Sequence, residues 1–278
     1  MRIAEAFDLY KEHILFVGQH PTNALRCENI KKQLIAKYGN KSVARLSLDQ
    51  IQQWLYDMQA THTDGTIRRF AIVMRSFLKF CKQSHIRCLD YELIPVPKAI
   101  NKPRAFLTAE EVTKMIDCAY NIRAKFVISL LYSSGIRLGE LVQLNRDSIK
   151  DRQFTVVGKG RKVRVCFIDR RTEQLMRRYL KTRKDDNPAL IFSLGTKERA
   201  SDETIQTIIK FAAKRAHITK KVSPHVLRHS FATNFLKNNG NLRYLSAMLG
   251  HSSMGTTAIY THVVDIDLKK QYRRYHTI

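Results

Sequence analysis

Gln153-Phe154-Thr155-Val156-Val157-Gly158-Lys159-Gly160-Arg161-Lys162-Val163-Arg164-Val165-Cys166-Phe167-Ile168 sets two β-rich runs on either side of a Gly-Lys-Gly turn. Glycines reverse a chain at low steric cost, so the stretch predicts a β-hairpin with Lys159 at its tip. The sequence on both sides has helical rhythm, and together they predict a mainly α fold with one small β-sheet (α+β). Upstream, the apolar run Phe126 to Tyr132 reads as a buried helix stopped by Gly135. Arg137 then falls where a core element meets the surface. Downstream, Ser223-Pro224 pairs a capping residue with a first-turn proline, which places His225 and Arg228 in the first turns of one helix. Asn241 to Leu249 predicts another helix, ended by Gly250, with His251 just past it. After Tyr260, Asp265 to His276 is an amphipathic tail, with Leu268, Tyr272 and Tyr275 set against Lys269, Lys270, Arg273 and Arg274.

At 278 residues the chain has room for about two domains with real cores. Pro95, Pro97 and Pro103, interspersed with Lys98, Lys102 and Arg104, mark a basic, proline-punctuated linker over 94–107. Thr108-Ala109-Glu110-Glu111 has the pattern of a capping box and opens a second domain, 108–278. Ahead of the linker, residues 1–93 carry helical patterns around 2–16, 22–38, 48–60 and 65–82, with Ser47 and Gln50 as one helix start. No strand pattern intervenes, so this first domain reads as a small helical bundle.

The residues that carry chemistry lie in the second domain. Tyr260 stands in Leu249-Gly250-His251-Ser252-Ser253-Met254-Gly255-Thr256-Thr257-Ala258-Ile259-Tyr260-Thr261-His262, about thirty residues after Ser223-Pro224-His225-Val226-Leu227-Arg228-His229. A phenol nucleophile, two imidazoles and a guanidinium are what breaking a phosphodiester without metal requires. The path to substitution gathers charge on the non-bridging oxygens, and fixed cations aimed at that charge are usually the largest catalytic term. Arginine suits the task because its planar fork gives two parallel donors and stays charged. A second arginine, Arg137, lies in Tyr132-Ser133-Ser134-Gly135-Ile136-Arg137-Leu138-Gly139-Glu140-Leu141. A tyrosine, with an ordinary pKa near ~10, needs a base or nearby positive charge to attack at neutral pH; His225 can serve. Lys159, a long ammonium on a hairpin tip, can protonate the departing sugar oxygen. Arg161, Lys162 and Arg164 beside it suit a basic hairpin that simply grips phosphates. Glu140 fits the orienting of an arginine or a helix cap better than chemistry. His225 and His229 are spaced as a metal pair on a helix would be, but Arg228 between them would repel a cation and no acidic ligand is adjacent.

In their order and spacing, Arg137, Lys159, His225, Arg228, His251 and Tyr260 resemble the tyrosine site-specific recombinases, the phage-integrase and Xer group. The match runs through three motifs, Ser134 to Leu141, His225 to Thr233 and Leu249 to His262, and covers 108–276 closely and the first hundred residues loosely. The resemblance implies that Tyr260 attacks a scissile phosphate to give a 3'-phosphotyrosyl link and a free 5'-hydroxyl. Arg137 and Arg228 would clamp the non-bridging oxygens, Lys159 would protonate the leaving 5'-oxygen, His225 would move protons and His251 would hydrogen-bond the phosphate. A 5'-hydroxyl of another strand would reverse the step, exchanging strands through a Holliday junction. The bond energy stays in the phosphotyrosine, so neither nucleotide cofactor nor metal is implied. The chain accordingly lacks a G-x-x-x-x-G-K-[ST] loop. By the same resemblance, 1–93 is a helical, SAM-like core-binding domain that closes on duplex DNA opposite the catalytic domain, and the tail docks on a neighbouring protomer. Two dimers, one per DNA site, would make a homotetramer. Thr277 stands where the group usually has a proline in that tail.

Charge agrees with a nucleic-acid partner. Lys and Arg number 49 against 24 acidic residues, a formal +25, which supports phosphate-driven, salt-sensitive binding. Residues 1–98 hold 15 basic and 9 acidic residues, against 34 and 15 in the remainder, so the excess gathers with the catalytic motifs. Glu5, Asp8 and Glu12 stand where a signal peptide would be apolar, and no segment suggests a membrane span, so a cytoplasmic, DNA-associated protein is expected. Five cysteines without metal or disulfide spacing suit a reducing compartment. Two other readings compete: a type IB topoisomerase-like nicking and closing enzyme, and a DNA-binding regulator that has lost catalysis. The small helical first domain and the Xer-like tail speak against the first, and the full catalytic set against the second. Target sequence, accessory protein and biological use are not written in the sequence.

Overall fold

The computed structural model describes residues 1–18, 21–98, 105–158, 163–196 and 198–250. The chain forms two compact units, Met1–Lys102 and Pro103–Ile278.

The named elements of the first unit, among its described residues, are helices: α1 (Ile3–Phe16), α2 (Pro21–Tyr38), α3 (Leu48–Asp57) and α4 (Asp64–Gln83), with short 3-10 turns between and after them. Helix α3 begins where Ser47 Oγ accepts from the Gln50 N–H (3.2 Å) and Gln50 Oε1 accepts from the Ser47 N–H (3.3 Å). This reciprocal bond satisfies two of the donors that a helix start leaves unpaired. The helical pattern over 48–60 divides in the structure, because Met58–Ala60 tightens into a separate 3-10 turn. The core is aromatic at its centre. Phe7 stacks on Phe77 with ring centroids 3.8 Å apart, and Trp54, almost wholly enclosed, packs beside Phe70. Ile94 is buried in this core and Val96 packs against it.

The second unit is built around one enclosed helix. Its elements are α5 (Ala109–Asp117), α6 (Ile122–Ser134), α7 (Leu138–Gln143), β1 (Gln153–Val157), β2 (Val163–Phe167), α8 (Arg170–Lys181), α9 (Asp202–Arg215), α10 (Pro224–Lys237) and α11 (Leu242–Leu249). Helix α5 opens on the expected capping box, in which Thr108 and Glu111 exchange hydrogen bonds of 2.8 and 3.2 Å. Helix α6 packs against α5, α8, α9 and α10, which is why its sequence has no polar stripe: Phe126, Val127, Ile128, Leu130 and Leu131 are all fully buried. Strands β1 and β2 pair antiparallel from Gln153↔Phe167 to Val157↔Val163, with Phe154, Val156 and Cys166 turned into the core. Helix α10 starts as read, with Ser223 Oγ accepting from the Val226 N–H and Pro224 in the first turn. Ser230 Oγ accepts the Leu107 N–H (2.8 Å) and Asn234 donates to the Leu107 carbonyl (3.1 Å), so α10 anchors the chain where it enters this unit.

Gly135 ends α6 in the left-handed region at φ +61, and a Cβ there would lie 2.5 Å from the Phe231 ring. Conformation and space therefore both require glycine. Gly135→Ala is expected to cost about 3 kcal/mol, from left-handed strain plus overpacking. Urea denaturation followed by far-UV circular dichroism measures it. A loss under about 0.5 kcal/mol, the range of ordinary surface substitutions, would show that the Phe231 contact yields freely.

Candidate active site

Arg137 and His225, distant in sequence, open on one cleft of about 790 Å³ together with Glu140, Val157, Gly158 and Ser223. Arg137 is the residue that enters α7 directly after the Gly135 turn, so the end of the rigid α6 core helix fixes its backbone. His225 is the second residue of α10 and is exposed. Arg228, one turn further along α10, is buried and is not among the residues that line the cleft. Its Nη1 donates to the Gly135 carbonyl (2.5 Å) and its Nη2 to the Leu249 carbonyl (2.7 Å). These oxygens belong to the ends of α6 and α11, where carbonyls lack helical partners and the helix dipole is negative. One guanidinium thus joins two helix ends.

Glu140 is the electrostatic centre of the wall. Its Oε2 accepts the Arg137 backbone N–H (2.7 Å) and its Oε1 accepts from Arg137 Nη1 (2.9 Å). The carboxylate therefore both caps α7 and orients Arg137, the two roles foreseen for it. The larger contribution comes from Arg164, whose Nη1 and Nη2 reach the same two oxygens at 2.8 and 2.6 Å while its Nε donates to the Met248 carbonyl (2.9 Å). Arg164 does not belong with a phosphate-gripping hairpin surface. In β2 it shares the inward face with Cys166, and its side chain is only 8% exposed. Period-two alternation holds in β2, but hydropathy runs against it: Val163, Val165 and Phe167 are the outward, exposed residues and the arginine is on the inward face.

Burial pushes the Glu140 carboxyl upward, and the hydrogen bonds from Arg164 and Arg137 overcome it, leaving a pKa of about 2. His229 is buried and meets Phe106 edge to face at 6.5 Å, whereas His225 is exposed. Lys159, His251 and Tyr260 lie outside the described residues, as do Arg161, Lys162, His262 and the tail 265–276. The described chain runs to their neighbours: Gly158 on the cleft wall, and Gly250, which closes α11 at φ +63.

One arginine and one histidine thus open on a cleft beside a two-stranded hairpin in a mainly helical scaffold. Residues 105–266 match the family described as "Phage integrase family", and the chain belongs to that family, the tyrosine recombinases. It is 31% identical over 246 residues to the "Tyrosine recombinase XerD" of Oceanobacillus iheyensis, covering 84% of this chain and 83% of that one. Among solved structures, it resembles the crystal structure of XerA recombinase with TM-score 0.56 and 26% identity, over 99% of both chains. A lambda integrase tetramer bound to a Holliday junction shares the fold at TM-score 0.76 and 16% identity, over 91% of this chain and 78% of that one.

The low pKa of Glu140 has a pH signature. Its folded value, about 2, lies below the ordinary 4.5, so its stabilising effect is complete above about pH 4.5 and is lost as pH falls toward 2. The gap in unfolding free energy between wild type and Glu140→Gln is expected to narrow by about 2 kcal/mol between pH 7 and pH 3. Urea titrations at both pH values measure the gap. A gap independent of pH would show that the carboxylate is not held ionised by the two arginines.

Proposed function

We propose that this tyrosine recombinase cuts and rejoins duplex DNA at a specific site, with the six residues Arg137, Lys159, His225, Arg228, His251 and Tyr260 as its catalytic set. Tyr260 Oη attacks the scissile phosphorus, the bond to the 5'-oxygen breaks, and the chain is left joined to the 3'-phosphate. The departing 5'-oxygen takes a proton from Lys159, and His225 accepts the phenol proton. Attack by the 5'-hydroxyl of a second strand on the phosphotyrosine releases Tyr260 and seals the exchange. Two such exchanges pass through a Holliday junction.

The observation that carries this reading is the convergence of Arg137 and His225 on one cleft at the foot of the hairpin that leads to Lys159. Arg137, one third exposed, can turn its fork to a phosphate. The bonds of Arg228 to Gly135 and Leu249 support a second role, holding the end of α11, after which His251 follows in sequence. The division of labour follows: 1–93 as a helical DNA-binding domain, 94–107 as linker, and 108–278 as catalytic domain with a tail that docks on a neighbouring copy. The lambda integrase tetramer on a Holliday junction supports a working assembly of four copies on two DNA sites. The excess of 49 basic over 24 acidic residues supports duplex DNA as the partner, and we read the protein as cytoplasmic and DNA-associated. Chromosome-dimer resolution and mobile-element integration or excision use this same chemistry.

Nicked suicide duplexes tiled from the DNA flanking the gene are expected to trap an SDS-resistant adduct with wild type and none with Tyr260→Phe. Arg137→Ala should slow trapping by about 100-fold or more, the usual cost of removing a donor aimed at developing charge. An adduct that persists in Tyr260→Phe contradicts the assignment.

A further inference from the structure

Arg164 takes no part in the reaction as just described, yet it is as enclosed as the carboxylate it holds: the side chains of Arg164 and Glu140 are each 8% exposed. Glu140 has two cationic partners. Arg137 with Glu140 alone would be a neutral pair, whereas the three groups together carry one net positive charge. The two arginines are not equivalent, because the Arg137 side chain is 33% exposed and lines the cleft while Arg164 is sealed beneath it. The unbalanced charge therefore faces the cleft through Arg137.

The path of Arg164 is also specified by its surroundings. A Cβ at Gly250 would lie 2.9 Å from Arg164 Cδ, so the glycine that ends α11 also leaves room for this side chain. The Nε bond to the Met248 carbonyl ties the guanidinium to that same helix end. One side chain thus joins β2, the start of α7 and the end of α11.

We propose that Arg164 is a positioning residue that neutralises Glu140, so that Arg137 meets an oxyanion in the cleft as an uncompensated cation. The inference rests on reading Arg137 as a phosphate clamp. Without Arg164, a buried carboxylate would have Arg137 as its remaining guanidinium partner and would draw its fork away from the cleft. Replacing Glu140 by the neutral glutamine removes that competitor, so a second substitution should repair the first.

Inorganic tungstate is a tetrahedral oxyanion that probes the cleft without any target DNA. Its affinity for the full chain is measured by calorimetry for wild type, Arg164→Met, Arg164→Lys and the double variant Arg164→Met/Glu140→Gln, with thermal melts to verify folding. Arg164→Met is expected to weaken tungstate about tenfold, the order of effect of one charge in a half-solvated cleft. Arg164→Lys, which keeps the charge, and the double variant, which removes the need for it, should both stay within about threefold of wild type. A role in packing alone predicts a different pattern, in which the double variant binds no better than Arg164→Met and the lysine fails to rescue.

That pattern overturns the proposal, as does a wild type that binds no tungstate or an Arg164→Met that binds as wild type does. If Arg164→Met does not fold, the lysine and double variants decide the matter by the same threefold criterion. The trapping assay run in parallel separates the two readings. Tungstate affinities in the expected order with no adduct from any duplex would refute strand transfer and leave the charge assignment standing. Adducts from wild type with the order absent would do the reverse.

Discussion

A carboxylate removed from water must be matched by cations, and Glu140 meets that demand with two arginines from different parts of the chain. The pairing fixes more than itself. Arg137 belongs to the start of α7, Arg164 to the hairpin strand β2, and the third donor of Arg164 reaches the last turn of α11. In sequence, these three segments adjoin Arg137, the Gly-Lys-Gly turn and the stretch that carries His251 and Tyr260. Buried ion pairs are uncertain contributors to stability, because desolvation offsets much of their attraction. Their geometry is more restrictive than their energy: two bonds to Glu140 and one to the Met248 carbonyl leave Arg164 little freedom to shift.

Arg228 works by a related principle with backbone in place of carboxylate. The ends of α6 and α11 expose carbonyls at the negative pole of each helix, and the guanidinium satisfies one from each. Most of helix α6 is buried, so the framework against which these cations are set is close-packed. Chemistry that depends on holding phosphate oxygens in place gains most from charges positioned before the substrate arrives.

Much of this architecture was legible because it rests on local rules. The Ser47, Thr108 and Ser223 caps, the glycine stops at 135 and 250, and the Gly-flanked hairpin are short-range features, and each helix predicted from them among the described residues is present. Of the residues singled out by their motifs, Arg137 and His225 line the cleft, Arg228 is buried outside its lining, and Lys159, His251 and Tyr260 lie outside the described residues. The place of Arg164 was not legible. Its neighbours Val163 and Val165 imitate the core-facing side of a strand, yet Val163 is 66% exposed, and only the tertiary partner Glu140 makes an inward arginine favourable. The extension of the first core to Ile94 was equally hidden, because a proline-rich stretch reads as linker whether or not an isoleucine within it finds an apolar surface.

The central claim is a covalent bond between one tyrosine and one end of a broken DNA strand. Tandem mass spectrometry of the nuclease-trimmed, protease-digested adduct tests it at the level of atoms. The account predicts a nucleotide joined through its 3'-phosphate to the peptide that contains Tyr260, with the modification on that residue. A nucleotide on any other side chain, or a linkage through a 5'-phosphate, would contradict it.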